Sequence, residues 1–522
     1  VSTPMKRIGI DVGGTNTDAA LLDGSKVLAA VKTFTTADVT SGVRTALKEL
    51  VAKAGPAAEG VTAVMIGTTH YTNAVVERRN LGRAAAIRVS LPASASLKPF
   101  CDWPADLAAQ VVGGVHLVHG GHEYDGRELV PMDEAEVAAA ARAIRAAGVN
   151  AVAISATFSP LTAACEERAA EIVRNEHPDC HVTLSSALGR IGLLERENVA
   201  LMNASLIDLA RETTQAFVDA VAASGLNARL YITQNDGTVA LAEAAREYPV
   251  FSFASGPTNS MRGAALLAGI ENAMVCDVGG TTADIGCLVN GFPREANNVV
   301  EVGGVRTLFR MPDLLSIAVG GGTIIGSDPI TVGPRSVGYR LGQEALVFGG
   351  STVTSTDIAV ASGLIDLGDR SKVAHLDPAF VKAALAKIHE TVAESVDRMK
   401  TDATEVPLLA VGGGAMLIPD RIPGISEVVH VEHSNVANAV GAAIAQISGE
   451  TDRIYRDVER DEAIAMARAE AVESAARAGA DPATIKVIDV EDLPLSYLPG
   501  KAIRTRVRVV GEAAALAPEA AE

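Results

Sequence analysis

Asp11-Val12-Gly13-Gly14-Thr15-Asn16-Thr17-Asp18 near the start of the chain and Asp277-Val278-Gly279-Gly280-Thr281-Thr282-Ala283-Asp284 in its middle are two copies of one pattern. Each has an aspartate, a Gly-Gly-Thr turn and a second aspartate. Each follows a short apolar run (residues 7–10 and 274–276) and precedes another (19–22 and 285–289). Each second run ends in a pair that favours a two-residue hairpin, Asp23-Gly24 or Asn290-Gly291. The glycine loop therefore joins two antiparallel strands, whereas a dinucleotide or Walker-type loop leads from a strand into a helix. Glycines let the backbone turn tightly and bring its N–H groups close to phosphate oxygens. The threonines add hydroxyl donors. An aspartate beside such a loop suits a hydrated Mg²⁺, which keeps its waters and takes few carboxylates.

On this reading Asp11 and Asp277 are the metal-binding and catalytic carboxylates, and Gly13, Gly14, Thr15, Asn16, Gly279, Gly280, Thr281 and Thr282 hold phosphate. Asp18 and Asp284 close the loops, where they either orient a nucleophile or cap the turn by accepting backbone N–H bonds. One such loop is as readily a plain turn. Two matched loops followed by Gly412-Gly413-Gly414, behind the apolar run 408–411, form an ordered set. That order, two phosphate loops and a late glycine-rich adenosine loop, resembles the actin/Hsp70/sugar-kinase superfamily. The resemblance implies an α/β fold with two actin-like (ribonuclease H-like) domains and an ATP cleft between them.

The rest of the chain alternates in the α/β manner. Helical periodicity covers 39–54, and a buried strand over 61–66 leads through Gly67-Thr68-Thr69-His70 to a helix over about 72–78. A long amphipathic stretch covers 192–224. Strand 426–431, a small-residue helix over 436–446, a charged helix over 461–477, an edge strand over 504–510 and a frayed tail from 512 complete the pattern. The length of 522 residues calls for more than one core. The expected organisation is an N-terminal domain with the first phosphate loop (1–190), a second with the other two loops (191–450), and a C-terminal helix and edge strand (451–522).

A narrower resemblance rests on several motifs in series. Residues 7–18, Gly67-Thr68-Thr69-His70-Tyr71-Thr72-Asn73-Ala74, Gln234-Asn235-Asp236-Gly237, Ser255-Gly256-Pro257, Ala318-Val319-Gly320-Gly321-Gly322-Thr323 and Val332-Gly333-Pro334-Arg335-Ser336 are similar to segments of the hydantoinase A/5-oxoprolinase family, in family order from about residue 7 to 446. Asn16, Asn235-Asp236 and Thr258-Asn259-Ser260 depart from the family pattern. The resemblance implies ATP- and Mg²⁺-dependent opening of a small cyclic amide such as a hydantoin, oxoproline or lactam. It also implies a separate B-type subunit, no counterpart of which is read within these 522 residues. A small-molecule kinase, an ATP-dependent carboxylase subunit and an ATP-binding scaffold stay open beside it.

His70, at the carboxyl end of a strand, is a candidate catalytic or phosphoryl-contacting residue or a structural histidine. Arg335 either forks onto phosphate or substrate carboxylate or makes a surface ion pair. His116, His119 and His122 suggest either a metal site or a solvated strand and loop. The net charge of −18 argues against nucleic acid or an anionic membrane as partner. Five scattered cysteines without a C-x-x-C pair, and no apolar leader or 18-residue apolar span, lead to the expectation of a cytoplasmic protein.

Overall fold

The computed structural model describes residues 6–13, 16–34, 39–189, 192–296, 298–496 and 501–514. Gly14, Thr15 and the tail expected to fray beyond 514 lie outside them.

The first strand, Lys6–Val12, pairs antiparallel with Asn16–Asp23 and parallel with Val61–Thr68. It is thus internal to a sheet, which is why Ile8, Ile10 and Val12 are all apolar and buried. The sheet has nine strands, ordered 486–494, 503–511, 446–455, 238–241, 229–233, 61–68, 6–12, 16–23 and 26–34. Because side chains alternate across a strand, each face carries its own core. Ile10, Val64 and Ile66 pack against Leu47 and Leu50 of the Val39–Ala54 helix and Phe217 of the Leu193–Ala223 helix. On the other face Ala63, Met65 and Tyr231 meet Ala463, Ala467, Ala471 and Ala475, the i, i+4 alanine stripe of the Arg460–Arg477 helix.

A second sheet repeats the arrangement. Ala273–Val278 pairs antiparallel with Ala283–Val289 and parallel with Val406–Val411, which in turn pairs with Ile425–His430. The Pro378–Met399 helix covers it through Val381, Ile388, Val392 and Val396. A third sheet, entirely parallel, is inserted between strands 61–68 and 229–233 of the first sheet with the order 112–119, 84–91, 151–156, 181–184.

The chain passes from the first sheet to the second along the Ser255–Ala268 helix and returns along Ala437–Ala443. These two helices touch backbone to backbone. A Cβ on Gly263 would lie 1.9 Å from the Ala437 carbonyl oxygen, and one on Gly441 1.7 Å from that of Asn259.

The first sheet takes strands from all three segments expected from sequence. The strand expected at 504–510 forms, but it is not an edge: Lys486–Pro494 lies outside it. Arg504, Arg506 and Arg508 explain the placement, since they share one face and need carboxylates. Arg504 donates from Nε to Asp452 at 2.7 Å and Arg506 from Nε to Glu450 at 2.7 Å on one side, with Asp489 and Glu491 each 3.9 Å from Arg506 on the other. The lattice extends to Asp236, which accepts from Arg508 at 2.9 Å and lies 3.0 Å from Arg310, and to Glu295, 2.6 Å from Arg506. Burial opposes ionisation of Asp236, but Arg310 and Arg508 outweigh it and hold its carboxyl at about 2. Asp236, in the Asn235-Asp236 departure from the family pattern, is therefore part of this ion-pair lattice.

Among the described residues no helix is long and apolar enough to cross a membrane.

Candidate active site

The two glycine loops are built alike to the level of single hydrogen bonds. In the first, Asp11 stands opposite Asp18 across the hairpin and the Gly13 N–H donates to the Asn16 carbonyl at 3.0 Å. In the second, Asp277 stands opposite Asp284 and the Gly279 N–H donates to the Thr282 carbonyl at 2.8 Å. Of the expected phosphate-binding residues, Thr281 and Thr282 are exposed and Gly13, Asn16, Gly279 and Gly280 half-buried.

The third glycine run closes on the second loop. Gly412, with φ +88°, takes a backbone conformation that side chains avoid, and a Cβ there would lie 2.3 Å from Asp277 Oδ1. The Gly414 N–H donates to the Val278 carbonyl at 2.8 Å, while a Cβ on Gly413 would face open space. Gly320 and Gly322, from the glycine triplet of the family segment, pack on the backbone of Gly280 and Thr281 with would-be Cβ contacts of 2.7–3.0 Å. Arg335 is exposed on the strand Ile330–Ser336 beside this triplet.

Asp11 is held by both bridging helices. Its Oδ1 accepts from Asn259 Nδ2 at 3.3 Å and its Oδ2 from Asn438 Nδ2 at 3.2 Å. Asn259 also donates to Thr233 Oγ1 at 3.1 Å. Gly67 leaves the room for this knot, since its Cβ would lie 2.3 Å from Asn259 Nδ2 and 2.7 Å from Asp11 Oδ1. Ser260, the next residue on the same helix, stands beside Asp277 and favours its charged form. Adjacent residues of one helix thus reach the lead carboxylate of each loop. Lys32 stands 3.1 Å from Asp18 and donates to the Asn435 carbonyl at 3.1 Å, and its charge is felt at Asp277.

Asp11, Asp18, Asp277 and Asp284 are thus electrostatic neighbours, with Lys32 beside Asp18 and felt at Asp277, though among the described residues no three of them converge as a ligand set. Burial, then the charges of Asp18 and Asp277, push the Asp11 carboxyl up to about 7 against the help of its two amides. Burial raises Asp18 and Asp277 as well, and raises Asp284 to about 6 although Ser316 donates to it. Such a set, short of positive charge, fits a divalent cation carried in with its waters, with Asp11 and Asp277 as the carboxylates that would hold it.

A pH dependence follows. In the nucleotide-free protein Asp11 keeps a proton that the unfolded chain releases above about pH 4. The folded state then binds more protons than the unfolded one, and stability falls as pH rises from about 4 to about 7. With EDTA present, urea unfolding of wild type and Asp11→Asn across pH 4.5–7.5 should show the wild type losing at least about 1 kcal/mol relative to the variant over that window. Parallel curves would mean that Asp11 is ionised throughout.

The helix expected over 72–78 spans His70–Glu77, so His70 lies in its first turn, beside Thr69 at the N-cap. The His70 N–H donates to Thr68 Oγ1 at 3.1 Å, and Thr69 packs near Gly256, where a Cβ would lie 3.8 Å from Asp11 Oδ1. The structure thus brings the His70 segment to the Asp11 end of the cleft. It does not gather His116, His119 and His122. His119 bonds Glu136 at 3.0 Å, buried His122 lies beyond the strand with Cys165 at 3.8 Å, and among the described residues no three metal-ligating side chains converge. Asn438, Ser316 and Lys32 were not singled out by sequence. Asn259 and Ser260 were marked only as part of Thr258-Asn259-Ser260, where the chain departs from the family pattern.

Comparison with known proteins agrees with the motif order. Residues 7–177 match the hydantoinase/oxoprolinase N-terminal region and residues 196–372 the hydantoinase/oxoprolinase domain. The acetophenone carboxylase gamma subunit of Aromatoleum aromaticum is 27% identical over 399 residues, covering 69% of this chain and 53% of its own length. The caprolactamase subunit alpha of Pseudomonas jessenii is 27% identical over 429 residues, covering 76% and 60%. The chain thus spans a little over half of the curated relatives it matches. Among solved structures, the ATP-dependent caprolactamase of Pseudomonas jessenii superposes with a TM-score of 0.77 at 21% identity over 97% of this chain and 87% of that one. Acetone carboxylase in its nucleotide-free form superposes with a TM-score of 0.69 at 17% identity, over 97% and 88%. At these identities the structures establish the shared fold.

Proposed function

This chain belongs to the hydantoinase/oxoprolinase family, and we propose that it binds Mg·ATP between its two actin-like domains and uses it to phosphorylate the carbonyl oxygen of a small cyclic amide. The observation that carries the reading is the duplicated loop geometry: the same turn hydrogen bond and the same aspartate pair on two strands whose lead carboxylates are reached by neighbouring residues of one helix.

A ring amide is a poor electrophile because nitrogen donates into the carbonyl. Moving a phosphoryl group from ATP onto the oxygen, with ADP leaving, opens the ring carbon to water; the water adduct then expels the ring nitrogen as the protonated amine, and a second water converts the acyl phosphate left behind to carboxylate and inorganic phosphate. Little covalent chemistry falls to the protein, so its work is positioning and charge neutralisation. The loop backbone beyond the turn hydrogen bonds of Gly13 and Gly279, with Thr281, would cradle phosphate oxygens. Bound Mg²⁺ would supply charge neutralisation at the transferring phosphoryl group. Asp11 and Asp277 would hold that ion's waters in place, Asn259 and Asn438 fixing Asp11. Gly412–Gly414 would receive the adenosine. His70 and Asp18 would face the substrate side of the cleft, and Lys32 would balance charge there. The relatives' names, a gamma and an alpha subunit, support a partner, for which the B-type subunit of the family is our reading. It would lie over the cleft and complete the hydrolysis.

A second reading is favoured by the acetophenone carboxylase relative. Phosphoryl transfer to a ketone oxygen, with an α-proton lost to a base, would yield an enol phosphate for carboxylation. Both are tested by following phosphate release from ATP by the purified chain with hydantoin, 2-pyrrolidone, valerolactam, acetophenone plus bicarbonate, and glucose. Stimulation by ring amides supports the leading reading, and stimulation only by ketone the carboxylase. No stimulation by either, with or without a partner, overturns both.

A further inference from the structure

The duplication of the two loops is broken at one place. Residues directly opposite each other on paired strands carry their side chains on the same face of a sheet. In the first sheet Asp11 stands opposite Asp18, and Asp18 opposite Lys32 of the Lys26–Phe34 strand. In the second sheet Asp277 stands opposite Asp284, and Asp284 opposite Ser316 of the Leu314–Ile317 strand. Each domain thus lays out a row of two aspartates and one donor at matching places. In the second row the donor is a hydroxyl, and Ser316 donates to Asp284. In the first row it is an ammonium. Among the described residues Lys32 is the one cation acting on Asp18 and Asp277, and none acts on Asp284. A hydroxyl would serve Asp18 as Ser316 serves Asp284, so pairing with the aspartate does not by itself call for a charge.

The surroundings of Lys32 say what the charge is for. On the same face of the sheet Ala20, Leu22 and Ala30 pack against Val436, Ala439 and Val440, and Lys32 stands two residues beyond Ala30. Its ammonium donates to Asp18 Oδ2 at 3.2 Å and to the carbonyl of Asn435 at 3.1 Å, in the turn that leads from the second sheet into the returning helix. An ammonium has three N–H donors, and these two acceptors take two of them. The Lys32 side chain keeps 36% of its surface open, against 11% for Asp18. A charged donor is therefore accessible beside the first loop. The third glycine run is built on the second loop, through Gly412 against Asp277 and Gly414 against Val278. A nucleotide with its adenosine there runs from the second domain towards the first, and the first domain meets the far end of its phosphate chain.

We propose that Lys32 donates its third N–H to the terminal phosphate of ATP and is the residue by which the site tells ATP from ADP. The proposal rests on the ATP reading and adds to it the group that reads the third phosphate. A lysine suits the task. It is a compact point charge on a flexible stem, able to keep Asp18 and Asn435 while a phosphate oxygen is added, and a bond from an ammonium to a phosphate is of the strong, charge-assisted kind. A diphosphate falls short of it and leaves Lys32 on Asp18 and Asn435 alone. The broken symmetry of the two rows then has a reason: only the row that meets the end of the phosphate chain carries a cation.

The test is calorimetric titration of the full chain with Mg·ADP and with the Mg²⁺ complex of the non-hydrolysable analogue AMPPNP, on wild type, Lys32→Met and Ser316→Ala, each checked for folding by circular dichroism. Loss of a charge-assisted bond to the terminal phosphate should weaken AMPPNP binding by Lys32→Met about tenfold or more, with ADP binding changed by less than about twofold. Ser316→Ala should keep the wild-type ratio of the two affinities. If Lys32→Met does not fold, Lys32→Gln, which keeps a side-chain donor without the charge, is held to the same ratio. Equal weakening of AMPPNP and ADP, which a lysine that only supports the fold would give, unchanged AMPPNP binding, or an equal change of ratio in Ser316→Ala would each overturn the proposal and leave the ATP reading in place. Wild type that binds neither nucleotide would overturn the ATP reading, and this proposal with it.

Discussion

Replacing Asp11 or Asp277 by Asn should lower Mg·ATP-dependent turnover by about a hundredfold or more, the usual loss when a preorganised charge at the reacting group is removed, while leaving the fold intact. The fold should survive for a reason visible in the site. Asp11 already sits between two side-chain amides, and burial with its neighbouring carboxylates lifts its carboxyl to about 7, so near neutrality much of it is uncharged. A neutral amide of the same shape gives up one of the two hydrogen bonds from Asn259 and Asn438 but relieves repulsion from Asp18 and Asp277, which offsets that loss. What it removes is the charge that would hold the cation's waters. Steady-state ATPase assays over a Mg²⁺ series, with circular dichroism to check folding, decide it; parental rates in both folded variants would end the metal-holding assignment.

The second large effect should come from a glycine that touches no ligand. Gly441→Ala puts a methyl group 1.7 Å from the Asn259 carbonyl oxygen, which is backbone and cannot swing aside. The bridging helices must separate, and Asn259 then loses its placement against Asp11. Overpacking of this kind costs roughly 1–3 kcal/mol, and more where backbone meets backbone. The expected outcome is a loss of about 3 kcal/mol or more in urea unfolding, with Mg·ATP no longer raising the melting temperature. Gly342→Ala, where no atom lies within 4 Å of the added carbon, is the control and should match wild type.

The strand–loop–strand frame of the site was legible because it is local. A Gly-Gly turn between apolar runs, ended by Asp23-Gly24 or Asn290-Gly291, dictates a hairpin, and its repetition supplies the second domain. The long helix before Ala223 and the strand leading into His70 were read from periodicity in the same way. Asn438, Lys32 and Ser316 were not legible. Each meets its carboxylate only through the fold: Asn438 reaches Asp11 from more than 400 positions away, on a seven-residue helix with no polar signature. Thr258-Asn259-Ser260 did carry a signal, since polar residues stood where the family has small ones, but which aspartate they serve depends on how the helix crosses both loops. The order of the first sheet was hidden for a related reason. Arg504, Arg506 and Arg508 look like an exposed charged face until the acidic neighbours on both sides are in place. The three histidines at 116, 119 and 122 show the converse, a pattern in sequence that the fold pulls apart.

The central claim is that ATP is spent on the carbonyl oxygen of the substrate, and oxygen labelling tests it most directly. 2-Pyrrolidone carrying ¹⁸O at its carbonyl is turned over with Mg·ATP by the chain together with the proposed partner subunit, and the inorganic phosphate is examined by mass spectrometry. If the carbonyl oxygen is phosphorylated, water addition and loss of the ring nitrogen leave an acyl phosphate, and a second water attacking its carbon releases that oxygen with the phosphoryl group, so each phosphate formed with a ring opening carries one ¹⁸O. Ring opening accompanied by unlabelled phosphate, with the label kept in the amino-acid product, would contradict the account.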